Sequence, residues 1–404
     1  MDPEALFGLA LGLMPPWQVR RIEFSTETAR LDIYLDFPRG ATFHCPACGV
    51  EGAKAYDTAE AAWRHLNFFQ YAAYLHARLP RVQCPDACGI KTVEVPWARP
   101  DSGFTRLFEA LIMVLAREMP VSAMAALLGE HDTRLWRVIH HYVEQARSQE
   151  DFSAVRQIGM DETSSRRGHQ YVSLFVDLER SKVLFATAGK DASTVEAFKT
   201  DLEAHGGQPA QVTEVACDMS PAFIAGVQAQ FPTAQITFDK FHIMKVINEA
   251  VDHVRREEQK HEPELKGSRY VWLKNPPNLT TNQHATLSRL AHRKLKTVRA
   301  YHIRLNFQEF WTQPAEEAEA FLRQWFFWAT HSRLPPMREA AYTIKRHWDG
   351  VLRWFTSHIT TGVLEGINSL VQAAKARARG YRTTRNMITM VYLIAGKLKF
   401  ALPT

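Results

Sequence analysis

Three carboxylates stand where they could share divalent cations. Asp161 follows the apolar run Ile158-Gly159-Met160, Asp218 follows Val212-Thr213-Glu214-Val215-Ala216-Cys217, and Glu365 opens an amphipathic helix far downstream. A carboxylate at the C-terminal end of a strand projects from the sheet edge, where open α/β sheets bind ligands. Oxygen donors of this kind suit hard divalent cations. Two such ions about 3.5 to 4 Å apart clamp an in-line displacement at phosphorus. The trio therefore points to two-metal phosphoryl transfer on a nucleic acid.

The elements around the trio follow from periodicity and turn signals. Gln157 to Met160, Tyr171 to Asp177 and Lys182 to Ala188 read as strands joined by turns short enough for antiparallel pairing. A helix from Thr194 to Ala204, a strand from Val212 to Cys217, a helix from Pro221 to Gln230 and a strand from Gln235 to Phe238 follow. The order β-β-β-α-β-α-β is that of ribonuclease H-like folds, in which the first and fourth strands are neighbours. Asp161 and Asp218 are then expected side by side. Asp239, in Phe238-Asp239-Lys240-Phe241-His242, is the rival second carboxylate. It would stand one strand further away, about 10 Å from Asp161 in a regular sheet. Asp239 and His242 are therefore read as accessory, and capping of strand ends is the plain alternative for each aspartate.

In the helix from Val363 to Arg379, Val363, Ile367, Leu370, Val371, Ala374 and Ala378 form an apolar stripe, while Glu365, Asn368, Gln372, Lys375 and Arg379 share another face. Docked by its N-terminal end, such a helix would carry Glu365 to the aspartates. Lys375 and Arg379, with Arg377 and Arg382, would then track a phosphate backbone. Between about Glu249 and Phe355 the chain reads as helical and interrupts the sheet-based domain before its last helix. This stretch holds a basic segment, Arg289 to Arg299, and the aromatics Trp311, Phe321, Trp325, Phe326 and Trp328. Their helical spacing predicts a packed core. The sharper expectation is that one of them, Trp325 above all, stacks on an unpaired base.

Four of the five cysteines form two close pairs, Cys45-Pro-Ala-Cys48 and Cys84-Pro-Asp-Ala-Cys88, each followed by glycine. Paired thiolates at this spacing supply the four tetrahedral ligands of a closed structural Zn²⁺ site. The alternation at Tyr71, Ala73, Leu75 and Ala77 reads as a strand of a zinc-ribbon hairpin, and His65 between the pairs as a packing or DNA-contacting residue. Past the Pro96 to Ser102 linker, Phe104 to Leu115 is helical. Val121 to Gly129 and Thr133 to Ala146 then form a helix-turn-helix, with Asp132 as N-cap. Thr133, Arg134 and Arg137 would face a major groove.

With 404 residues, 46% of them apolar, several ordered domains are expected. The formal charge of +6 permits a polyanionic partner. No apolar run is long enough to span a membrane, and Leu6 to Met14 lacks the basic flank of a signal peptide. The class is a multidomain α+β protein. A zinc-ribbon region occupies 1–98 and a helix-turn-helix 99–150. A ribonuclease H-like α/β catalytic domain occupies 151–248 and 356–404, with an all-helical insertion at 249–355.

Gly159-Met160-Asp161-Glu162, Cys217-Asp218-Met219-Ser220-Pro221, Phe238-Asp239-Lys240-Phe241-His242 and Leu364-Glu365-Gly366-Ile367-Asn368, behind the paired cysteines, resemble bacterial insertion-sequence transposases of the ISL-three group. The resemblance runs from about residue 40 to the end, although the second cysteine pair has a longer gap than the family usually shows. It implies a DDE transposase in which Asp161, Asp218 and Glu365 hold two Mg²⁺ (or Mn²⁺) ions beside one structural Zn²⁺. Such an enzyme cleaves double-stranded DNA at transposon ends and joins it to a target. A homodimer in the bacterial cytoplasm, associated with the nucleoid, is expected from the same resemblance. Two rivals remain, a catalytically inactive zinc and helix-turn-helix regulator and a nuclease without strand transfer.

Overall fold

A computed structural model describes residues 2–86, 88–166, 168, 170–359 and 362–402. The chain divides into two compact units, Met1–Ala146 with Lys399–Thr404, and Arg147–Leu398.

The first unit carries a sheet of β1 (Gln18–Ser25), β2 (Arg30–Asp36), β3 (Thr42–Phe43), β4 (Ala53–Arg64), β5 (Ala72–Gln83) and β6 (Ile90–Thr92). Its order is β1-β2-β5-β4-β3, with β6 also on β5. The expected hairpin is β4 and β5, antiparallel from Ala55 and Val82 to Arg64 and Tyr74. Two further strands extend it, because Leu31, Ile33 and Leu35 alternate and bury on the same core as Ala73, Leu75 and Ala77. Trp97 stands edge-on to Trp17 and Trp63, at 4.9 and 5.6 Å between ring centroids.

Helix Pro3–Ala10 precedes the sheet in the chain, and helices Arg106–Glu118, Val121–Leu128 and Asp132–Ser148 follow it, the last running past Ala146. Gly129 takes the left-handed conformation that ends the middle helix, and Met124, Leu135 and Val138 are buried, as the helix-turn-helix pattern requires. Asp132 is the first residue of its helix rather than the cap before it. The stretch read as a linker is packed. Trp97 and Ala98 are buried, and Arg99 (2.9 Å) and Ser102 (2.6 Å) donate to the fully buried Glu109, which also accepts from Tyr142 at 3.0 Å.

In the second unit, β7 (Gln157–Arg166), β8 (Gln170–Asp177), β9 (Lys182–Ala188), β10 (Glu214–Cys217) and β11 (Gln235–Phe238) form one sheet in the order β11-β10-β7-β8-β9. The first three strands run antiparallel, and β10 lies parallel to both β7 and β11. Helices Ala192–Ala204 and Pro221–Gln230 connect β9, β10 and β11. The first and fourth strands of this sheet are neighbours, as expected. β7 does not stop before Asp161; it pairs with β8 as far as Arg166. Polar residues at Thr163 and Ser165 are buried there and conceal the strand from an apolar reading.

After β11 the chain is helical: Lys240–Glu258, Arg269–Leu273, Thr281–Ala291, Lys296–Phe310, Ala315–His331, Pro335–Arg346, Trp348–Leu352, Trp354–Ser357, Gly362–Arg377 and Thr384–Ala395. The basic segment Arg289 to Arg299 is not one helix. It breaks after Ala291, where Arg289 and Arg293 turn to Glu264 and Glu262 at 2.6 and 2.8 Å. Trp325 is 1% exposed, donates to the Ile303 carbonyl at 2.9 Å and meets Phe307 edge-on at 4.6 Å. No base can stack on it without opening this core, so the packing role is the one Trp325 fills.

Gly159 sets how closely the Gly362–Arg377 helix approaches the sheet. A Cβ there would lie 2.7 Å from Leu178 Cδ2 and 3.0 Å from both methyls of Leu364. We expect Gly159→Val to lower stability by about 1–3 kcal/mol through overpacking, read as a shift of the urea midpoint. An unchanged midpoint would show that the helix yields freely.

Candidate active site and zinc centre

Strand register sets the carboxylates. Ala216 pairs with Gly159 and Cys217 with Phe238. Counting on from these pairs, Asp161, Asp218 and Asp239 fall at one level across β7, β10 and β11, with Asp218 central. Each has a local partner. Asp161 Oδ1 accepts from Glu162 N at 2.7 Å, Asp218 Oδ1 from Ser220 N at 3.0 Å, and Asp239 Oδ1 from Phe241 N at 2.8 Å. Asp239 is also bound to His242 Nδ1 at 3.0 Å and N-caps the Lys240–Glu258 helix. The capping role is thus fullest at Asp239.

The electrostatics are those of crowded acids. Burial pushes the Asp161 carboxyl up, and the charges of Asp218 and Asp239 add to this against the Glu162 N–H and His242. Glu162 rises for the same reasons, burial first, then Asp218 and Asp161, opposed by Lys190 and His242. The hydrogen bond to Asp239 raises His242, with the charges of all three aspartates supporting it against burial. The imidazole thus takes up a proton more readily than a free one.

The Gly362–Arg377 helix buries Leu364, Ile367 and Val371. Leu370, expected in the packing stripe, is 46% exposed. The helix is turned so that part of its polar face lies along β7. Asn368 Nδ2 donates to Asp161 Oδ2. Gln372 donates to Thr163 Oγ1 (2.7 Å) and the Ser164 carbonyl (3.0 Å), and Lys375 to the same carbonyl at 2.6 Å. Glu365 is exposed and has no hydrogen bond or ion pair among the described residues. Asn368, rather than Glu365, is the helix residue in contact with Asp161. Sequence spacing had put both on one face without choosing between them. Arg377, Arg379 and Arg382 are exposed, and the Arg382 carbonyl accepts from Arg166.

The four cysteines do converge. The Sγ atoms of Cys45, Cys48, Cys84 and Cys88 lie within 4.8 Å of one another, the one such ligand group among the described residues. A tetrahedral ion with Zn–S near 2.3 Å needs sulfur separations of about 3.8 Å, and Cys48 and Cys84 stand 3.4 Å apart. Gly49 N closes one knuckle on the Cys45 carbonyl at 2.8 Å, and Cys84 N closes the other on Gly89 O at 3.1 Å. Both glycines have φ of 75°, which a side chain would resist. Burial raises Cys84, but the backbone N–H groups of Cys88 and Asp86 and the neighbouring thiols outweigh it and hold it to about 7. The thiols of Cys48 and Cys84 push Cys88 up to about 12. A cation is what allows the four to ionise together. His65 lies outside the cluster. Its Nδ1 bonds Thr105 Oγ1 at 2.9 Å, and burial, then Arg64, lowers it to about 4.

Of the three residues expected to face DNA, Thr133 and Arg137 are exposed. Arg134 is tied to Glu130 and to the Gly103 carbonyl (3.3 Å), with its guanidinium 4.2 Å above the Phe104 ring. It secures the segment just before Arg106–Glu118 to the third helix of this region. Among the described residues no helix is long and apolar enough to cross a membrane.

Comparison with known proteins agrees with this arrangement. A family model described as a transposase, of the DDE ISL3 type, matches residues 158–391. A helix-turn-helix domain of transposase family ISL3 matches 93–143, and a zinc-finger of the IS204/IS1001/IS1096/IS1165 transposases matches 41–88. The transposase for insertion sequence element IS1557 from Mycobacterium tuberculosis is 28% identical, over 98% of this chain and 97% of its own. That for IS1001 from Bordetella parapertussis is 29% identical, over 92% of this chain and 94% of its own. With more than half its length matched by the transposase model, and the zinc-finger and helix-turn-helix models in order before it, the chain belongs to the ISL3 family of DNA transposases.

Proposed function

We propose that this transposase cleaves and joins DNA at a two-metal site on a ribonuclease H-like sheet, with Asp161, Asp218 and Glu365 as the metal-holding carboxylates. The observation that carries the reading is the register that aligns Asp161 with Asp218 on adjacent parallel strands. The order β11-β10-β7-β8-β9 supports the fold, and the helices between β11 and Gly362–Arg377 are its all-helical insertion. The chemistry of the donors suits Mg²⁺ or Mn²⁺, hard carboxylate oxygens whose mutual repulsion a cation would relieve, and a cation would have to draw them together, since among the described residues only the four cysteines already lie within 4.8 Å of one another. Asn368, which donates to Asp161, has its Oδ1 buried without a hydrogen-bond partner among the described residues.

Held by these carboxylates, two such ions would lower the pKa of the attacking water or hydroxyl and stabilise the leaving oxygen. The chain's own residues bind, orient and compensate. Asp161 and Asp218 fix the level of the reaction on the sheet, Glu365 approaches from the helix, and His242 offsets negative charge. In hydrolysis a water oxygen bonds to phosphorus, the bond from phosphorus to the transposon 3′ oxygen breaks, and that oxygen leaves as a hydroxyl. In strand transfer the same hydroxyl attacks a target phosphodiester and displaces a target 3′ oxygen. Exposed Thr133 and Arg137 read the end sequence, and Arg377, Arg379 and Arg382 follow the backbone, while Lys375, expected among them, is instead tied to the Ser164 carbonyl. Two ends must be brought together, so the working form is a homodimer.

Purified protein with end-containing DNA and Mg²⁺, Mn²⁺ or EDTA tests this directly. Asp161→Asn, Asp218→Asn and Glu365→Gln should each lower cleavage by about 10²–10³ or more, with end binding in gel shifts retained. Full activity in any one removes that residue from the site. Nicks without joined products would favour a nuclease.

The zinc centre is tested separately. Cys84→Ser should abolish a stoichiometry of one zinc per chain by elemental analysis. It should also lower the unfolding midpoint, since structural zinc in small domains supplies on the order of 10 kcal/mol of binding energy. Undiminished zinc content would sink the four-cysteine assignment.

A further inference from the structure

The Gly362–Arg377 helix meets Asp161 through Asn368, and the two ends of that amide are treated differently. Nδ2 donates to Asp161 Oδ2. This is the orientation an ionised carboxylate requires, since only the NH₂ end can donate. Oδ1 is then buried with no donor among the described residues. Buried carbonyl oxygens are almost always paired, and an unpaired one beside a carboxylate calls for a water or an ion. Several surroundings bear on the choice. Asp161, which the amide touches, is an acceptor when ionised; the groups whose charges act on Asp161 are Asp218 and Asp239, acceptors likewise, and His242, whose Nδ1 is already bound to Asp239. Gln372 and Lys375, one and two turns further along the helix, are spent on Thr163 and Ser164. A cation satisfies an amide oxygen and carboxylates at once, and amide carbonyls are ordinary ligands of hard divalent ions.

We propose that Asn368 Oδ1 is a further oxygen ligand of the cation held by Asp161, so that the helix enters the metal site through Asn368 as well as Glu365. This rests on the two-metal reading above. It also gives the amide two roles: its NH₂ orients Asp161 and its carbonyl completes the donor set.

The experiment is Mn²⁺ binding to the full chain without DNA, followed by electron paramagnetic resonance and calorimetry. The variants are Asn368→Ala, Asn368→Asp and Asp161→Asn, each checked for native circular dichroism. Asn368→Ala should weaken Mn²⁺ binding by about 10-fold or more, the range seen when metal-site partners are removed. Asn368→Asp keeps an oxygen and loses the N–H donor, and should bind Mn²⁺ at least as tightly as the parent. If Asn368→Ala binds as the parent does while Asp161→Asn does not, the oxygen serves a water or nothing, and the proposal falls. If Asn368→Asp is as weak as Asn368→Ala, Asn368 only positions Asp161 and the proposal falls likewise. Should Asp161→Asn itself leave Mn²⁺ binding untouched, the two-metal reading fails and takes this inference with it.

Discussion

The parallel pairing of β10 with β7 is the constraint on which the second unit depends. β10 is only four residues long, is hydrogen-bonded on both sides and is wholly buried. It ends at Cys217, whereas β7 continues to Arg166. Beyond that end the β10 side of β7 is open, and polar side chains of the Gly362–Arg377 helix reach Asp161, Thr163 and the Ser164 carbonyl. A longer β10 would fill that edge with backbone. A slip of one residue would set Cys217 level with Asp161 and turn the aspartate to the other face. The register is held because Val215 and Cys217 pack into the main core.

The three aspartates differ in how much of each is already used. Asp239 accepts from Phe241 N, holds His242 and caps a helix of 19 residues. Asp218 accepts one backbone N–H, and Asp161 accepts one backbone N–H and the Asn368 amide. Free lone pairs therefore favour Asp218 over Asp239 as the partner of Asp161, which agrees with the central position of β10. Asp239 has a complementary use. Its hydrogen bond raises the pKa of an imidazole beside the acids, and that imidazole opposes the rise that burial, and then the neighbouring aspartates, impose on Asp161.

What was legible in the chain was local. The cysteine spacing, the strand and helix order from Gln157 to Phe238, and the helix-turn-helix pattern could be read because each depends on residues a few positions apart. The extension of β7 was concealed because Thr163 and Ser165 are buried by pairing with β8 rather than by being apolar. The helix face was misjudged for a tertiary reason. Gly159 leaves room for Leu364, so the helix rolls onto Leu364 and lifts Leu370 into solvent. Residues 18–36 carry a visible alternation at Leu31, Ile33 and Leu35, but their parallel partner is β5, some forty positions away. Trp325 illustrates the converse. Its helical spacing predicted a core, and the core is where it lies.

The first unit shows how a metal centre can bear on helices that do not touch it. Cys84 directly follows β5, and β5 pairs along its length with β4, which ends at Arg64. Arg64 is 3% exposed and pairs with no carboxylate among the described residues. Its guanidinium donates instead to the Ala73 carbonyl at 3.1 Å and lies 4.9 Å from the Phe108 ring. Burial lowers its pKa accordingly, so the charge is tolerated only while those acceptors and rings stay in place. Its backbone bonds Gly103 and Thr105, and Thr105 caps Arg106–Glu118 by accepting from Phe108 N. The buried Glu109 then binds Tyr142 of the third helix. The last links of this path, Arg64 to the Ala73 carbonyl, Thr105 to Phe108 N and Glu109 to Tyr142, are buried polar contacts that are costly to break. The order of the helix-turn-helix therefore depends on the order of the hairpin that the cysteines close.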